Sequence, residues 1–393
     1  MSLQLITGNS GNGKTKYLFN RIVKEAKANP RDNYLVIVPE QFTMQTQRQL
    51  VDLSENKAIM NIDVLSFKRL AYRVFDELGI TNLTVLEETG KNLVLRKLAA
   101  QEADKLGVIG RNLNRIGYIS EVKSLLSELV QYNISPEELG RYIASGRLSD
   151  TLSDKLKDVL VLYEAFEKFM QDKYITAEEI LNVLSNVAEE SAILRNSVIA
   201  FDEFTGFTPI QNQLIKKLFV ISKKIYVTLT IDCREDIFKS RGMQELFDMP
   251  KRTVKSLTEM AAFYGIEVEE PIILDKNYRL AENEELSFME QQLFRKRRCS
   301  FKKAPKHIHI DCLRDPKQEL TKIARRINEL VRNENLRYRD IAIVTGDVNI
   351  YAGYVREIFD KYNIPYFIDA TQEILFHPFI EFIRSIPVSY THL

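Results

Sequence analysis

The sequence predicts an α/β protein built from two α/β domains of P-loop type, the first interrupted by an all-helical insertion. Three observations carry the prediction. A short apolar strand, Leu3–Thr7, runs into a glycine-rich loop and then a helix with Tyr17, Leu18, Ile22 and Val23 on one face. A buried-strand run, Ser197–Phe201, ends on two acids, Asp202 and Glu203. Almost 190 residues separate Thr15 from Asp202, more than a few βα units require, and much of that stretch has helical period.

A length of 393 residues fits two or three domains. Fifty-five Lys and Arg against 54 Asp and Glu leave a net charge of +1, which excludes a uniformly basic nucleic-acid coat but not a local basic groove. No apolar run approaches the roughly 18 residues of a membrane span. The N-terminus shows neither the basic nor the apolar region of a secretion signal. Cys233, Cys299 and Cys312 are scattered without C-x-x-C spacing, as reduced thiols of a cytoplasmic protein are. With no Trp, base stacking falls to the 21 Phe and 17 Tyr.

The loop is Gly8-Asn9-Ser10-Gly11-Asn12-Gly13-Lys14-Thr15, a full G-x-x-x-x-G-K-[ST]. Glycines let backbone N–H groups converge on phosphate, and the helix N-terminus adds positive potential. Lys14 is expected to reach the β- and γ-phosphates of ATP, and Thr15 to hold Mg²⁺. Asp202 would complete the Mg²⁺ shell through water, and Glu203 would orient and deprotonate the attacking water. The plain alternatives are a glycine-rich turn and a solvated acidic turn.

The first domain is expected over residues 1–85 and 191–294, with Tyr34–Val38 as a second strand. The insertion is expected over 86–190, where Ile119, Val122, Leu125/Leu126 and Leu129 form one helical stripe. Leu156, Val159/Leu160, Tyr163 and Phe166 form another. Residues 295–305 read as a basic linker; including Lys306, the run carries seven positive charges and no acid, so it is either solvated or a strap on nucleic-acid phosphates. A second α/β domain is expected over 306–386, with strands at His307–Asp311, Ile341–Val344 and Tyr366–Ile368. Its first helix has Leu320, Ile323, Ile327 and Leu330/Val331 on one face. His307 and His309 share a strand face, a weak metal signal without further ligands. Residues 387–393 read as an anomalous tail that does not continue the helix begun at His377–Ile386, as in an N-terminal fragment with a foreign end.

The run Ile199–Gln211 resembles motif II of superfamily 1 DNA helicases, with Gln211 eight residues after Glu203 as a nucleotide-contacting residue. Asp232–Gly242 looks like a degenerate motif III in which Glu235 replaces the phosphate-sensing Gln and Ile231 the leading Gly. An acid beside a γ-phosphate is repulsive and argues against tight coupling of hydrolysis to movement. Leu274–Arg279 resembles the L-x-x-N-Y-R segment, which makes Arg279 an arginine-finger candidate; otherwise it is a surface arginine. This resemblance implies two RecA-like domains, the first carrying the helical insertion.

Val38–Gln45, Asp202–Gln211, Leu336–Ile343 and Tyr362–Asp369 together resemble the AddB family, the B subunits of the bacterial ATP-dependent helicase–nuclease AddAB. The resemblance implies a heterodimer with an AddA-type motor-nuclease subunit that processes double-strand DNA ends for recombination. The B subunit scans the emerging single strand for a hotspot sequence. The scanning residues implied are Gln41 and Thr43 after Pro39, and Phe67, Arg69 and Tyr72 on the helix Ser66–Leu78; Tyr72 stands where many members have Trp. On that helix Phe67, Leu70, Ala71, Val74, Phe75 and Leu78 form an apolar stripe, so Phe67 is as much a core residue as a DNA contact. Phe204 and Phe207 are further stacking candidates. Full-length members end in a nuclease domain with a 4Fe-4S cluster, for which this chain has neither the signature nor the cysteines. The alternatives are a DNA-binding scaffold with a structural nucleotide site, and an autonomous superfamily 1 motor.

Overall fold

Parallel strands covered on both faces need apolar side chains at nearly every position, and period 2 sends successive residues to opposite sides. The strands of this protein follow that rule. Leu35, Ile37, Ile199, Phe201, Ile225 and Val227 enter one apolar cluster; Tyr34, Val36, Val198, Ala200 and Tyr226 enter another. The computed structural model describes residues 1–80, 84–108, 117–145, 148–171, 174–295, 299–370 and 377–390. It divides into two units, Met1–Ser300 and Phe301–Leu393.

In the first unit β1 (Ser2–Gly8) leads to α1 (Lys14–Ala28), β2 (Tyr34–Ile37) to α2 (Thr43–Leu53), and β3 (Ile62–Leu65) to α3 (Phe67–Leu78). Next come β4 (Val85–Leu86), α4 (Glu88–Gln101), α5 (Tyr118–Gln131), α6 (Pro136–Ala144), α7 (Asp150–Met170), β5 (Ile175–Thr176) and α8 (Ile180–Val187). The chain then returns through β6 (Val198–Phe201), α9 (Pro209–Ile221), β7 (Lys224–Thr230), α10 (Asp248–Phe263), β8 (Glu267–Val268), β9 (Ile272–Leu274) and α11 (Glu284–Gln292). The sheet order is β3-β2-β6-β7-β1-β8, with β9 also pairing β1, and every pairing is parallel. The carboxyl ends of β1, β6, β7, β2, β3 and β9 therefore open on one edge, where ligands of open α/β sheets bind. This is an α/β unit with a parallel sheet, as a RecA-like fold requires.

Helices α4 to α7 enclose their own cluster, with Leu95, Ile119, Val122, Leu126, Val159, Leu162 and Phe166 inside it. Both stripes read from the sequence enter it, with Leu125 and Leu160 only partly buried and Leu156 half-buried outside it. The expected insertion boundary at 190 lies beyond α8, whose Ile180 and Leu184 sit in the sheet's core with Leu70, Val74 and Leu218. Full burial of each such side chain stabilises by about 1.5–3 kcal/mol, so α8 is held by the sheet body.

The second unit holds α12 (Pro316–Asn333), α13 (Val348–Lys361) and α14 (Pro378–Tyr390). Leu320, Ala324 and Ile327 pack on Ile358, Phe359 and Ile364. The three strands expected at His307–Asp311, Ile341–Val344 and Tyr366–Ile368 do not form among the described residues. Alternation marks a segment able to pair, but a strand exists only where a neighbour takes up its N–H and C=O groups. Here Ile310, Val344 and Phe367 stand 94%, 93% and 89% exposed. Helix α14 also runs past Ile386 to Tyr390, because a proline removes one donor without ending every helix. Residues 391–393 of the expected tail and 296–298 of the expected linker lie outside the described residues.

Candidate nucleotide site and DNA-facing surface

Gly8 ends β1, and Gly11 and Gly13 adopt φ of +90° and +79°, which side chains rarely tolerate. A Cβ on Gly11 would also meet Asn277 Oδ1 at 2.7 Å. The loop is strapped from above by the segment after β9. Asn277 Nδ2 donates to the Ser10 carbonyl at 3.0 Å, and Tyr278 N to the Gly11 carbonyl at 3.0 Å. Asn12 Nδ2 donates to the Leu274 carbonyl at 2.5 Å. A pocket of about 720 Å³ opens on this loop, lined by Ser10, Gly11, Gly13, Lys14 and Thr15 and, opposite them, Asp202, Glu203, Thr228 and Arg279. Gly8, Asn9 and Asn12 do not line it; Asn9 and Asn12 are buried and hold the loop's shape.

Strand β6 ends one residue before Asp202 and delivers its carboxylate to the pocket wall at 1% exposure. Thr228 Oγ1, from neighbouring β7, donates to Oδ1; Oδ2 is buried and has no hydrogen-bond partner among the described residues. Burial, reinforced by the charge of Glu203, raises the Asp202 pKa above the ordinary carboxylate value. Lys14 mirrors it: burial lowers its pKa against the pull of Asp202 and Glu203. Its Nζ donates to the Gly8 and Asn9 carbonyls at 3.1 and 3.0 Å. A buried acid and a half-buried base thus both lack full charge compensation, a condition typical of ligand sites. Glu203 holds φ +64°, a conformation that costs a non-glycine residue about 1–3 kcal/mol. Its Oε1 accepts from Thr15 Oγ1 at 3.4 Å. Thr15 and Asp202 are the residues here that could hold Mg²⁺, with Oδ2 as the carboxylate oxygen such an ion would need.

Two sequence readings change here. Gln211 does not line the pocket; it closes a capping box with Thr208 at the start of α9, accepting from Thr208 N at 2.9 Å. The T-P-I-Q pattern is a helix start, which spacing from Glu203 alone does not distinguish. Glu235 also lies off the pocket and shares the buried ammonium of Lys251 with Glu245, at 2.7 and 3.2 Å, so the acid is held by a cation away from the pocket wall. Sequence reasoning passed over Thr228, Thr230, Tyr278 and the α2 residues Gln49 and Asp52, which also line the pocket. Thr228 left a signal, a hydroxyl inside the apolar run of β7.

The DNA-facing candidates separate by burial. Gln41 is exposed, Arg69 projects outward with its Nε donating to Glu40 Oε1 at 3.1 Å, and Tyr72 is 38% exposed. Thr43 is buried, its hydroxyl donating to the Glu40 carbonyl at 3.0 Å. Phe67 is buried, with ring centroids 5.8 Å from Phe201, 5.5 Å from Phe204 and 6.4 Å from Phe207. The apolar stripe of α3 takes it inward. Phe204 and Phe207 are half-buried in the same cluster, and Phe204 also lines the nucleotide pocket. These four rings form a packed aromatic core under the Asp202 turn, so Phe67 and Thr43 are not presented for stacking or contact. Arg295, first residue of the expected basic linker, is committed to Asp232 at 2.8 Å.

Among the described residues no helix is long and apolar enough to cross a membrane, and no group of three or more His, Cys, Asp or Glu is poised for a metal. The family described as ADDB, N-terminal, matches residues 5–290. The B subunit of the ATP-dependent helicase/deoxyribonuclease of Lachnoclostridium phytofermentans is 38% identical, over 100% of this chain and 34% of its own length. Proteins of the same name from Clostridium tetani and Listeria monocytogenes are each 33% identical over 98% of the chain. The chain spans about a third of the length of the curated relatives it matches. With a matched family over most of its first unit and relatives along its whole length, this chain belongs to the AddB family, whose N-terminal part it aligns with.

Proposed function

We propose that this chain is the ATP- and DNA-binding, helicase-like part of the B subunit of a heterodimeric helicase–exonuclease that processes double-strand breaks for recombinational repair. One observation carries the nucleotide reading: Asp202, whose buried Oδ2 has no hydrogen-bond partner among the described residues, lines the same pocket as Lys14 and the N-terminus of α1. Mg²⁺ would neutralise the first, and triphosphate oxygens would engage the second. When bound, the ion draws charge from the terminal phosphate. Glu203 would orient water, and Arg279 would stabilise charge on the leaving phosphates. Pairing of Glu235 with Lys251 favours hydrolysis over a purely structural site.

The DNA reading rests on Gln41, Arg69 and Tyr72, which stand exposed at the same sheet edge and suit contact with a single strand scanned for a hotspot sequence. Residues 306–386 would contribute to a second RecA-like domain, and the partner would be an AddA-type motor subunit, with the protein in the cytoplasm. An iron–sulfur cluster belongs to the full-length member only. Lys14→Ala should weaken Mg-ATP binding about a hundredfold, as loss of charge-assisted bonds worth about 2–3 kcal/mol implies. Unchanged binding in a titration would sink the nucleotide reading. Phosphate release stimulated by single-stranded DNA, with and without the AddA-type subunit, separates a hydrolysing site from a scaffold.

A further inference from the structure

We infer that Asp232 is a positioning residue for the phosphate-binding loop: held by Arg295, it sets the backbone N–H of Cys233 that fixes Asn9. The inference rests on the ATP-binding reading of the loop.

Asn9 is the loop's second residue and is 5% exposed. Its Oδ1 accepts from Cys233 N at 2.9 Å, and its Nδ2 donates to Glu290 Oε1 at 2.7 Å. The Asn9 carbonyl in turn accepts from Lys14 Nζ at 3.0 Å and Asn12 N at 3.2 Å. A shift of Asn9 therefore moves the anchor of the ammonium that meets phosphate.

Cys233 belongs to the loop after β7, and that loop is pinned by the neighbouring carboxylate. Asp232 accepts from Arg234 N at 3.0 Å, Arg234 Nε at 2.9 Å and Arg234 Nη2 at 2.6 Å. It also accepts from Arg295 Nε at 3.1 Å and Nη2 at 2.8 Å. Arg295 lies over the Phe247 ring at 5.0 Å, and Arg234 Nη2 reaches the Gln291 carbonyl at 3.2 Å. Glu290, Gln291 and Arg295 thus bind the end of α11 and the residues just after it to the shoulder of the phosphate loop. Asp232 itself does not line the pocket; its loop touches the phosphate loop at Asn9 through Cys233 N and at the Gly8 carbonyl through Ile231 N at 3.3 Å, and the effect on nucleotide is assigned to the Asn9 contact.

The test uses the full 393-residue chain. A fluorescent ATP analogue with Mg²⁺ is titrated, and the rise in Tm that Mg-ATP produces is measured. Asp232→Asn and Asn9→Ala should each weaken binding about tenfold, the loss of one well-placed hydrogen bond. The double variant should be no weaker than Asn9→Ala alone, because both act on one route. Arg295→Gln should behave like Asp232→Asn, and Arg295→Lys should recover most of the loss. Should Asp232→Asn fail to fold, the Arg295 pair carries the test. The inference is overturned if Asp232→Asn lowers Tm but leaves affinity and the Mg-ATP-induced rise at wild-type values while Lys14→Ala loses binding. Additive losses in the double variant overturn it too. If Lys14→Ala binds like wild type, the nucleotide reading falls, and this inference with it.

Discussion

Asp202 and Asp232 follow adjacent parallel strands, β6 and β7, and are 1% and 2% exposed, yet their surroundings oppose each other. Asp202 accepts from Thr228, its Oδ2 has no hydrogen-bond partner among the described residues, and burial raises its pKa against the smaller opposing pulls of Thr228, Thr15 and the Glu203 backbone. At Asp232 burial pushes the same way, but hydrogen bonds from Arg234 and the Arg295 charge outweigh it and bring the pKa to about 2. Burial alone therefore does not mark a functional acid; the absence of compensating partners does. One site is built to receive charge, and the other already holds its counter-charge.

The largest expected effect breaks the comparison from its open side. Asp202→Asn should weaken Mg-ATP binding about a hundredfold. It should also raise the ligand-free Tm by about 2 °C, since an acid whose folded pKa is raised loses stability as pH rises through that value. A fall in ligand-free Tm would mean that the carboxylate is compensated after all. Next, Asp232→Asn should destabilise the fold by about 2–3 kcal/mol in denaturant titration, leaving two arginines short of their shared acceptor. Its pH signature has the opposite sign. Because the folded pKa is lowered to about 2, the wild-type contribution is present above the ordinary carboxylate pKa and lost as pH falls toward 2. The variant should lack that segment of the acid-unfolding curve.

Smaller effects lie outside the two buried acids. Arg69→Ala and Tyr72→Ala should each weaken single-strand binding by about 1–2 kcal/mol in anisotropy titrations while Mg-ATP affinity stays at wild type. Loss of nucleotide binding in either would place the two surfaces in one site. Gln211→Ala should cost about 1 kcal/mol of stability, the loss of half a capping box, with no change in Mg-ATP affinity. A nucleotide effect would restore the contact that its spacing from Glu203 suggested.

How much was legible in advance follows the range of each interaction. Strands β1, β2 and β6, the stripes of α3, α5, α7 and α12, and the phosphate loop depend on neighbours within a few residues, so periodicity and spacing revealed them. Helix α3 came out with its stripe inward and Arg69 outward. The same pattern that identified the helix made Phe67 ambiguous, and only the rings of Phe201, Phe204 and Phe207 settled its burial. The unpaired segments of the second unit fail for a related reason: alternation describes a strand's faces, not its hydrogen-bonding neighbour.

By itself, then, the chain determined the phosphate loop, the acidic end of β6 and the apolar faces of its strands and helices, because each is written in local order. Tertiary structure decided which charges are answered. It brought Lys251 to Glu235 and Arg295 to Asp232, and it left Asp202 Oδ2 without a hydrogen-bond partner among the described residues. Those outcomes depend mainly on residues far apart in sequence meeting in space, and Coulomb and desolvation energies are set by such distances, not by spacing along the chain.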